Sequence, residues 1–505
     1  MVEVVLTSWP ALLLLLVALR FLPGVAMGET PWRRRSEVAL ALGLGLLFAF
    51  LSCTWFSRFY LTGPTLSSDF YDFCSAVSNY RADDIASFSQ DRSFLAAWLP
   101  AKIAENKGVV DGLGWTAVIS MVVLGVGLYT WGRALHSRWA GAYTLVAALT
   151  IAPLVILGRT LTFYPEYVAV FSLSAGLVCL AIRFSNWLNL LLASASIGLC
   201  LLIDVRGVVW AVPSFFALCL VYLPLGWKKG MLHGAILWAV LGTSWWAGRL
   251  AYTSDSTSLD DQSNPVRLYN EHKDFGRPLM AEPGPNDIPN LVWGRTPIQD
   301  IPKTLLRLTK DTKKIAPLLS DAKRTKSGRE NHFHPWYPVL IPFLLLSLVG
   351  IRKSKPRILG LVVTSLPFAA VLYHASTLEF TARFASSAMP PFAVIIGLGV
   401  AVLWGNPNPS LPLKAAHKES HPIKRHLPNF VRMGVLLSLA WGLIPSYLSP
   451  RADWRVTFTS DHEINSMRTG ALGGKMPEAW GSEACVEGIR ADWKSGLKPL
   501  GKLYY

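Results

Sequence analysis

Apolar runs long enough to cross a bilayer recur along most of the chain, and the charged residues are gathered into short clusters between them. A run of 18 or more apolar residues, at 1.5 Å per residue, covers the ~30 Å hydrocarbon layer of a membrane. Backbone inside that layer has no water to bond to, so it must close its own hydrogen bonds as helix or barrel. Continuous rather than alternating apolar runs point to helix. The 505 residues are 52% hydrophobic and only 16% charged, with a mean hydropathy of +0.36. A soluble protein of this length would carry charged helix faces throughout. The expected fold class is therefore an all-α polytopic membrane protein, a transmembrane helix bundle with extracytoplasmic loops containing amphipathic helices.

The net charge of +16 does not make this a nucleic-acid protein, because it is split among loops instead of forming one basic face. Cytoplasmic Lys and Arg and attraction to anionic membrane lipids account for it. The positions of the basic clusters orient the spans. Residues 5–27 are apolar but contain Pro10, Arg20 and Pro23; the start lacks positive charge and Glu3 is acidic, which favours a retained span or interfacial helix over a cleaved signal. Arg33, Arg34 and Arg35 follow and are expected inside, and residues 37–57 then cross outward. Further spans are expected at 114–132, 139–157, 165–183, 187–204, 208–226, 232–250, 336–351, 357–374, 386–404 and 431–448. The clusters Arg133/His136/Arg138, Arg183, Lys228/Lys229 and Arg352/Lys353/Lys355/Arg357 all then fall inside. The count is eleven or twelve spans, depending on whether residues 5–27 cross.

This gives an N-terminal segment with its basic turn (1–36), an N-terminal transmembrane core (37–250) with a first extracytoplasmic loop (58–113), a large extracytoplasmic loop (251–335), C-terminal transmembrane helices (336–448) and an extracytoplasmic tail (449–505). The large loop is proline-rich at first. At 301–319 apolar residues then recur at spacings of three and four, with Lys303, Arg307, Lys310, Lys313 and Lys314 between them. That pattern fits a basic helix lying on the membrane surface, or equally one packed on its own domain.

Several residues on the predicted outer side carry chemistry. Asp69 and Asp72 sit just past an apolar span, wet enough to stay charged and close enough to lipid to meet a lipid-borne substrate. Ser67, Ser68 or Asp69 could instead cap the run Phe70–Val77 that follows, and the Asp69-x-x-Asp72 pair could hold a divalent ion. Arg159, Arg206 and Arg383 lie at outer span ends, where a guanidinium can fork onto phosphate oxygens. One such arginine could simply snorkel to headgroups, but short outer turns are not where Lys and Arg normally gather. His332 and His334 form a His-x-His pair with no identifiable third metal ligand. Cys179, Cys200 and Cys219 lie within apolar runs and read as packing residues. Cys74 and Cys485 are the two cysteines in large outer regions, where an oxidising compartment would favour a disulfide between them over two separate thiols.

Five stretches, taken in order over residues 37–404, resemble the GT-C fold of polytopic glycosyltransferases, including protein O-mannosyltransferases and aminoarabinose transferases. They are the acidic pair Asp69/Asp72 in the first outer loop; Arg159-Thr-Leu-Thr-Phe-Tyr-Pro-Glu166; the turn Asp204-Val205-Arg206-Gly207; His334-Pro335-Trp336-Tyr337; and Arg383-Phe384 followed by Met389-Pro390-Pro391. The chain departs from the family pattern in three ways: the acidic pair is spaced by two residues, Glu166 stands where Asp is commoner, and the tail is short. The resemblance implies transfer of a sugar from a polyprenyl-phosphate donor to a lipid, protein or glycan acceptor on the extracytoplasmic side. It implies Asp69, or after it Asp72, as the base, and Arg159, Glu166, Arg206, His334 and Arg383 as substrate-binding residues. No cofactor is required, with a divalent metal as the open case. The expected location is a bacterial inner membrane. The rival reading is a polytopic transporter or lipid flippase without transfer chemistry, which would call for ionisable residues inside the spans or paired broken helices.

Overall fold

A computed structural model describes residues 31–56, 73, 77, 95–151, 154, 155, 157–203, 208–222, 337–352, 354–363, 365 and 389–404, and they are almost entirely helical. The helices are α1 Pro31–Phe50, α2 Leu95–Lys107, α3 Val109–Leu135, α4 Arg138–Leu149, α5 Tyr164–Arg183, α6 Trp187–Ile203, α7 Val208–Tyr222, α8 Tyr337–Ile351 and α9 Met389–Trp404. A π-helical turn, Leu51–Phe56, continues α1. Among the described residues Ser36–Cys53, Asp111–Leu135 and Tyr164–Arg183 are long and apolar enough to cross a membrane. The chain is an integral membrane protein, and the fold class expected from its apolar runs is the one observed. The apolar segment 5–27, most of the first loop before residue 95, the turn 204–207, the spans expected at 232–250 and 431–448, the large loop 251–335 with its expected helix at 301–319, and the tail 449–505 lie outside the described residues.

Helix α5 is the axis of the bundle, with 94% of its apolar window buried inside the protein against 33% for the window of α1. The outer helices turn apolar side chains outward, Leu42, Leu46, Leu47 and Phe50 on α1 and Val212, Phe216 and Leu220 on α7. In water such surfaces would be an aggregation hazard; against lipid tails they cost nothing. With no water to expel between helices, close packing of small residues drives association. A Cβ added at Gly127 of α3 would come within 2.5 Å of the Leu173 backbone nitrogen of α5, and one at Gly176 within 2.9 Å of the Gly127 carbonyl oxygen. The two backbones are in direct contact. Gly127→Val is therefore expected to push α3 and α5 apart and destabilise the fold by at least the ~1–3 kcal/mol of ordinary overpacking, measurable as a lower thermal midpoint in detergent, while Gly43→Ala, which meets no atom within 4 Å and replaces a glycine inside a helix, does not lower that midpoint.

The contacts also give each helix a direction. Residues 127, 130 and 131 of α3 meet 172, 173 and 176 of α5, and Arg183 reaches the last carbonyls of α3, so α3 and α5 run parallel. Helix α1 is antiparallel to α3: Gly45 meets Val122 and Val126, while Glu37 meets Tyr129. Helix α4 returns beside α3 after a turn capped by Ser137, whose hydroxyl accepts from the Ala140 amide at 3.3 Å. Helices α8 and α9 are parallel, through Phe343 with Gly399 and Gly350 with Val402. Gly360 meets Leu135 and Cys179, which brings the chain following α8 to the C-terminal ends of α3 and α5. The bundle thus has two distinct ends. One holds Glu37 with Arg133, His136, Arg138, Arg183 and Arg357, the last five all from clusters expected on one side; the other receives the starts of α3 and α5 and the end of α1.

Two local features differ from the sequence expectation. The loop expected at 58–113, for which the sequence marks no particular helix, contains α2, which folds back on the first turn of α3, where a Cβ on Gly112 would lie 2.5 Å from the Pro100 carbonyl oxygen. The reversal turns on Gly108, whose φ of 89° lies in the left-handed region that only glycine enters cheaply. The second difference is in the span expected at 139–157. Helix α4 stops at Leu149, where the Thr150 amide and hydroxyl both turn back to the Ala147 carbonyl, ahead of Pro153, which lacks the N–H a continuing helix needs.

Candidate functional site

The stretch between α4 and α5 is the least regular part of the described bundle, and it is buried. Ile151, Leu154, Val155, Leu157, Leu161 and Phe163 are each at most 3% exposed. Its 3₁₀ turn, Leu157–Arg159, packs where a Cβ on Gly158 would meet Cys53 Sγ at 2.7 Å and Met121 Cγ at 3.3 Å. Met121 lies six residues beyond the exposed Trp115 on α3, about 9 Å deeper along the helix. Non-helical backbone at membrane depth persists where it is enclosed by protein or lines a site. The start of α7 is recessed too, since Trp210 stacks on Phe171 at 5.3 Å and donates to the Ser174 hydroxyl at 3.0 Å. The N-termini of α5 and α7 thus both open at depth on this side of the bundle, where the positive ends of their dipoles favour an anion.

Glu166 stands in the first turn of α5, two residues after Tyr164 and beside Pro165, a residue preorganised for a helix start. Its side chain is 7% exposed, and among the described residues Oε2 has no hydrogen-bond partner. Helix geometry alone does not require a carboxylate there, and burying one without a partner is costly. Phe163, three residues earlier, meets Tyr164 at 4.3 Å and Phe73, from the chain before α2, at 6.0 Å between ring centroids. Phe73 directly follows Asp72. The structure therefore brings together the chain next to the acidic pair and the chain leading into Glu166, two stretches ninety residues apart in sequence.

Of the other candidate residues, Arg159 contributes its backbone to the 3₁₀ turn, and its side chain lies outside what is described. Asp69, Asp72, Cys74, Arg206, His334, Arg383 and Cys485 lie outside the described residues. Among the described residues no group of three His, Cys, Asp or Glu could hold a metal ion.

The opposite end carries a charge network whose centre the sequence reading passed over. Glu37 is wholly buried, yet its carboxylate pairs with Arg133 Nε at 3.5 Å and with Arg138 Nε, and accepts from the Tyr129 hydroxyl at 3.3 Å. It joins α1, α3 and α4. Arg183 Nη1 donates to the carbonyls of Arg133 and Ala134 at 2.9 Å and of His136 at 3.4 Å, satisfying the orphaned C-terminal acceptors of α3. The one available signal was a single acid set among basic clusters that all fall on one predicted side.

Burial, then the charges of Arg357 and Arg183, hold the His136 imidazole below its ordinary value of 6.5. As pH falls through about 6.5 the unfolded chain takes up this proton and the folded protein does not. The folded state therefore loses stability from there downward, until pH passes the lowered folded value. His136→Gln is expected to remove that contribution, so the difference in thermal midpoint between variant and wild type should change between pH 7.5 and 5.5; a constant difference would contradict it.

No family model matches the sequence, and no curated protein matches it. Solved structures do show similarity. The archaeal oligosaccharyltransferase AglB from Archaeoglobus fulgidus, in complex with an inhibitory peptide and a dolichol-phosphate, is 12% identical over 85% of this chain and 56% of its own, with a TM-score of 0.44. The apo oligosaccharyltransferase from the same organism is 14% identical over 93% of this chain and 60% of its own, with a TM-score of 0.44. ArnT from Cupriavidus metallidurans, bound to undecaprenyl phosphate, is 13% identical over 93% of this chain and 74% of its own, with a TM-score of 0.48. The chain thus spans little more than half the length of the oligosaccharyltransferases it resembles.

Proposed function

We propose that this chain is an integral-membrane glycosyltransferase that moves a sugar from a polyprenyl-phosphate donor to an acceptor hydroxyl on the extracytoplasmic side. The observation that carries the reading is the Phe73–Phe163 contact, which ties the neighbour of Asp72 to the segment running from Arg159 to Glu166. This supports a shared site for two of the five motifs that resemble GT-C enzymes. In the proposed reaction the acceptor oxygen attacks the anomeric carbon, its proton passes to the Asp69 carboxylate, and the bond from that carbon to the phosphate oxygen breaks. Asp72 positions or replaces Asp69. Arg159, Arg206 and Arg383 hold the departing phosphate, whose charge rises as the bond breaks, and Glu166 and His334 contact the sugar. The host membrane is proposed to be a bacterial inner membrane, with a lipid, protein or glycan as acceptor. The domain order is that of the sequence: core, large outer loop, C-terminal helices and tail.

The transporter reading calls for acidic or basic residues in the middle of spans. In the described spans these residues fall near the ends: Glu37 at the start of the apolar span Ser36–Cys53, Asp111 and Arg133 near the two ends of α3, Glu166 and Arg183 near the two ends of α5. That distribution favours the enzyme. The test is to incubate the purified protein with a panel of polyprenyl-phosphate sugars. Release of free polyprenyl phosphate with one donor is expected; movement of intact donor across a vesicle membrane without its cleavage would favour the flippase. A disulfide between Cys74 and Cys485 is proposed to tie the tail to the first loop, and non-reducing peptide mass spectrometry should recover the linked pair and not two separate thiols.

A further inference from the structure

We propose that the arginine-rich end of the bundle binds the phosphate of an anionic phospholipid headgroup. Glu37 is one carboxylate set between two guanidiniums, Arg133 and Arg138. Arg183 and Arg357 add two more positive charges within electrostatic reach of His136, and Arg357 is also within reach of Arg133. The group is positive after its internal pairing. Like charges at close quarters repel, and an anion that enters removes that cost.

The level of the cluster says which anion it meets. Trp139 directly follows Arg138, Trp187 opens α6 four residues after Arg183, and both rings are about half exposed. Exposed tryptophans mark the interface where headgroups lie. At the other end of α3 the exposed Trp115 plays the same part. From Trp115 to Arg133 is eighteen residues, about 27 Å of helix, close to the ~30 Å hydrocarbon thickness. The arginines therefore sit at headgroup depth. They are also reachable: the Arg138 side chain is 52% exposed, and Arg183 and Arg357 are half-buried. Two forked guanidiniums suit a phosphodiester better than a diffuse field of lysines does. This end lies across the bundle from the proposed transfer chemistry and is independent of it.

The test is native mass spectrometry of the full chain released from detergent with phosphatidylglycerol or phosphatidylcholine of matched acyl chains. Phosphatidylglycerol is expected to stay bound at lower lipid concentration, and Arg357→Gln to weaken that retention about fivefold, the usual loss for one arginine at a charged membrane surface. Because Arg357→Gln relieves repulsion, it is expected to fold. The exposed neighbour Arg352 is the control: Arg352→Gln should leave retention unchanged. Equal retention of the two lipids by the wild type would overturn the proposal, as would an equal loss in both variants, which would mean diffuse charge and no site. Millimolar inorganic phosphate should leave the lipid adduct intact; displacement by it would assign the site to soluble phosphate.

Discussion

Glu37→Gln is expected to cost the folded protein about 3 kcal/mol, the largest stability loss foreseen for any single polar substitution in the described bundle. The carboxylate is wholly buried and faces Arg133 and Arg138. Removing one partner of a buried pair leaves charge without an answer, typically at ~3–5 kcal/mol. The lower end applies because Arg138 is half exposed and water screens part of its interaction. Glutamine keeps the shape and can still accept from Tyr129, so the loss reads the charge and not a cavity. Thermal or denaturant unfolding in one detergent measures it. Glu37→Asp, which keeps the charge on a shorter arm, should recover part of the loss; equal loss in both variants would mean that packing, not charge, holds α1 to α3 and α4.

The second large effect concerns activity. Asp69→Asn is expected to lower sugar transfer by about 10²–10⁴-fold, the range for losing a general base, with thermal stability unchanged. Asp72→Asn should cost less if Asp72 only positions its neighbour. The two losses should not add when both act on one proton. Phe73→Ala offers an independent handle, because Phe73 meets Phe163 but has no chemistry of its own. It should slow transfer by loosening the loop that carries the acids. Full activity in that variant would mean that this contact does not position the base.

Much of the bundle was legible because apolar runs in a membrane protein are bounded by polar residues that cannot remain in lipid. The runs expected at 165–183, 187–204 and 336–351 correspond closely to Tyr164–Arg183, Trp187–Ile203 and Tyr337–Ile351. The run at 139–157 misled because residues 150–158 are as apolar as a helix interior: hydropathy reports burial, not backbone geometry. Thr150 and Pro153 held the information that α4 stops, while Leu154, Val155 and Leu157 beyond it stay buried in the bundle and so read as more span. Helix α2 was missed within the first loop because Pro100 and its mixed charges hide a short helix whose support comes from α3. That several basic clusters share one end could be read from alternation, and Arg133, His136, Arg138, Arg183 and Arg357 do converge. Glu37 could not be read as their centre, since no sequence period records which cation an acid will meet across a bundle. At the candidate site, the sequence named Glu166 from a resemblance. Its burial, and the contact of Phe73 with Phe163, required three dimensions.

The central claim is that first-loop carboxylates act on a lipid-linked sugar at the recessed end of the bundle. Its most direct measurement is the rate of free polyprenyl phosphate release by purified wild type and by the Asp69→Asn/Asp72→Asn double variant, with equal amounts of folded protein and the same donor. Donor-dependent release by the wild type, reduced at least about 10²-fold in the variant, is the predicted result; release by the double variant at the wild-type rate would contradict it.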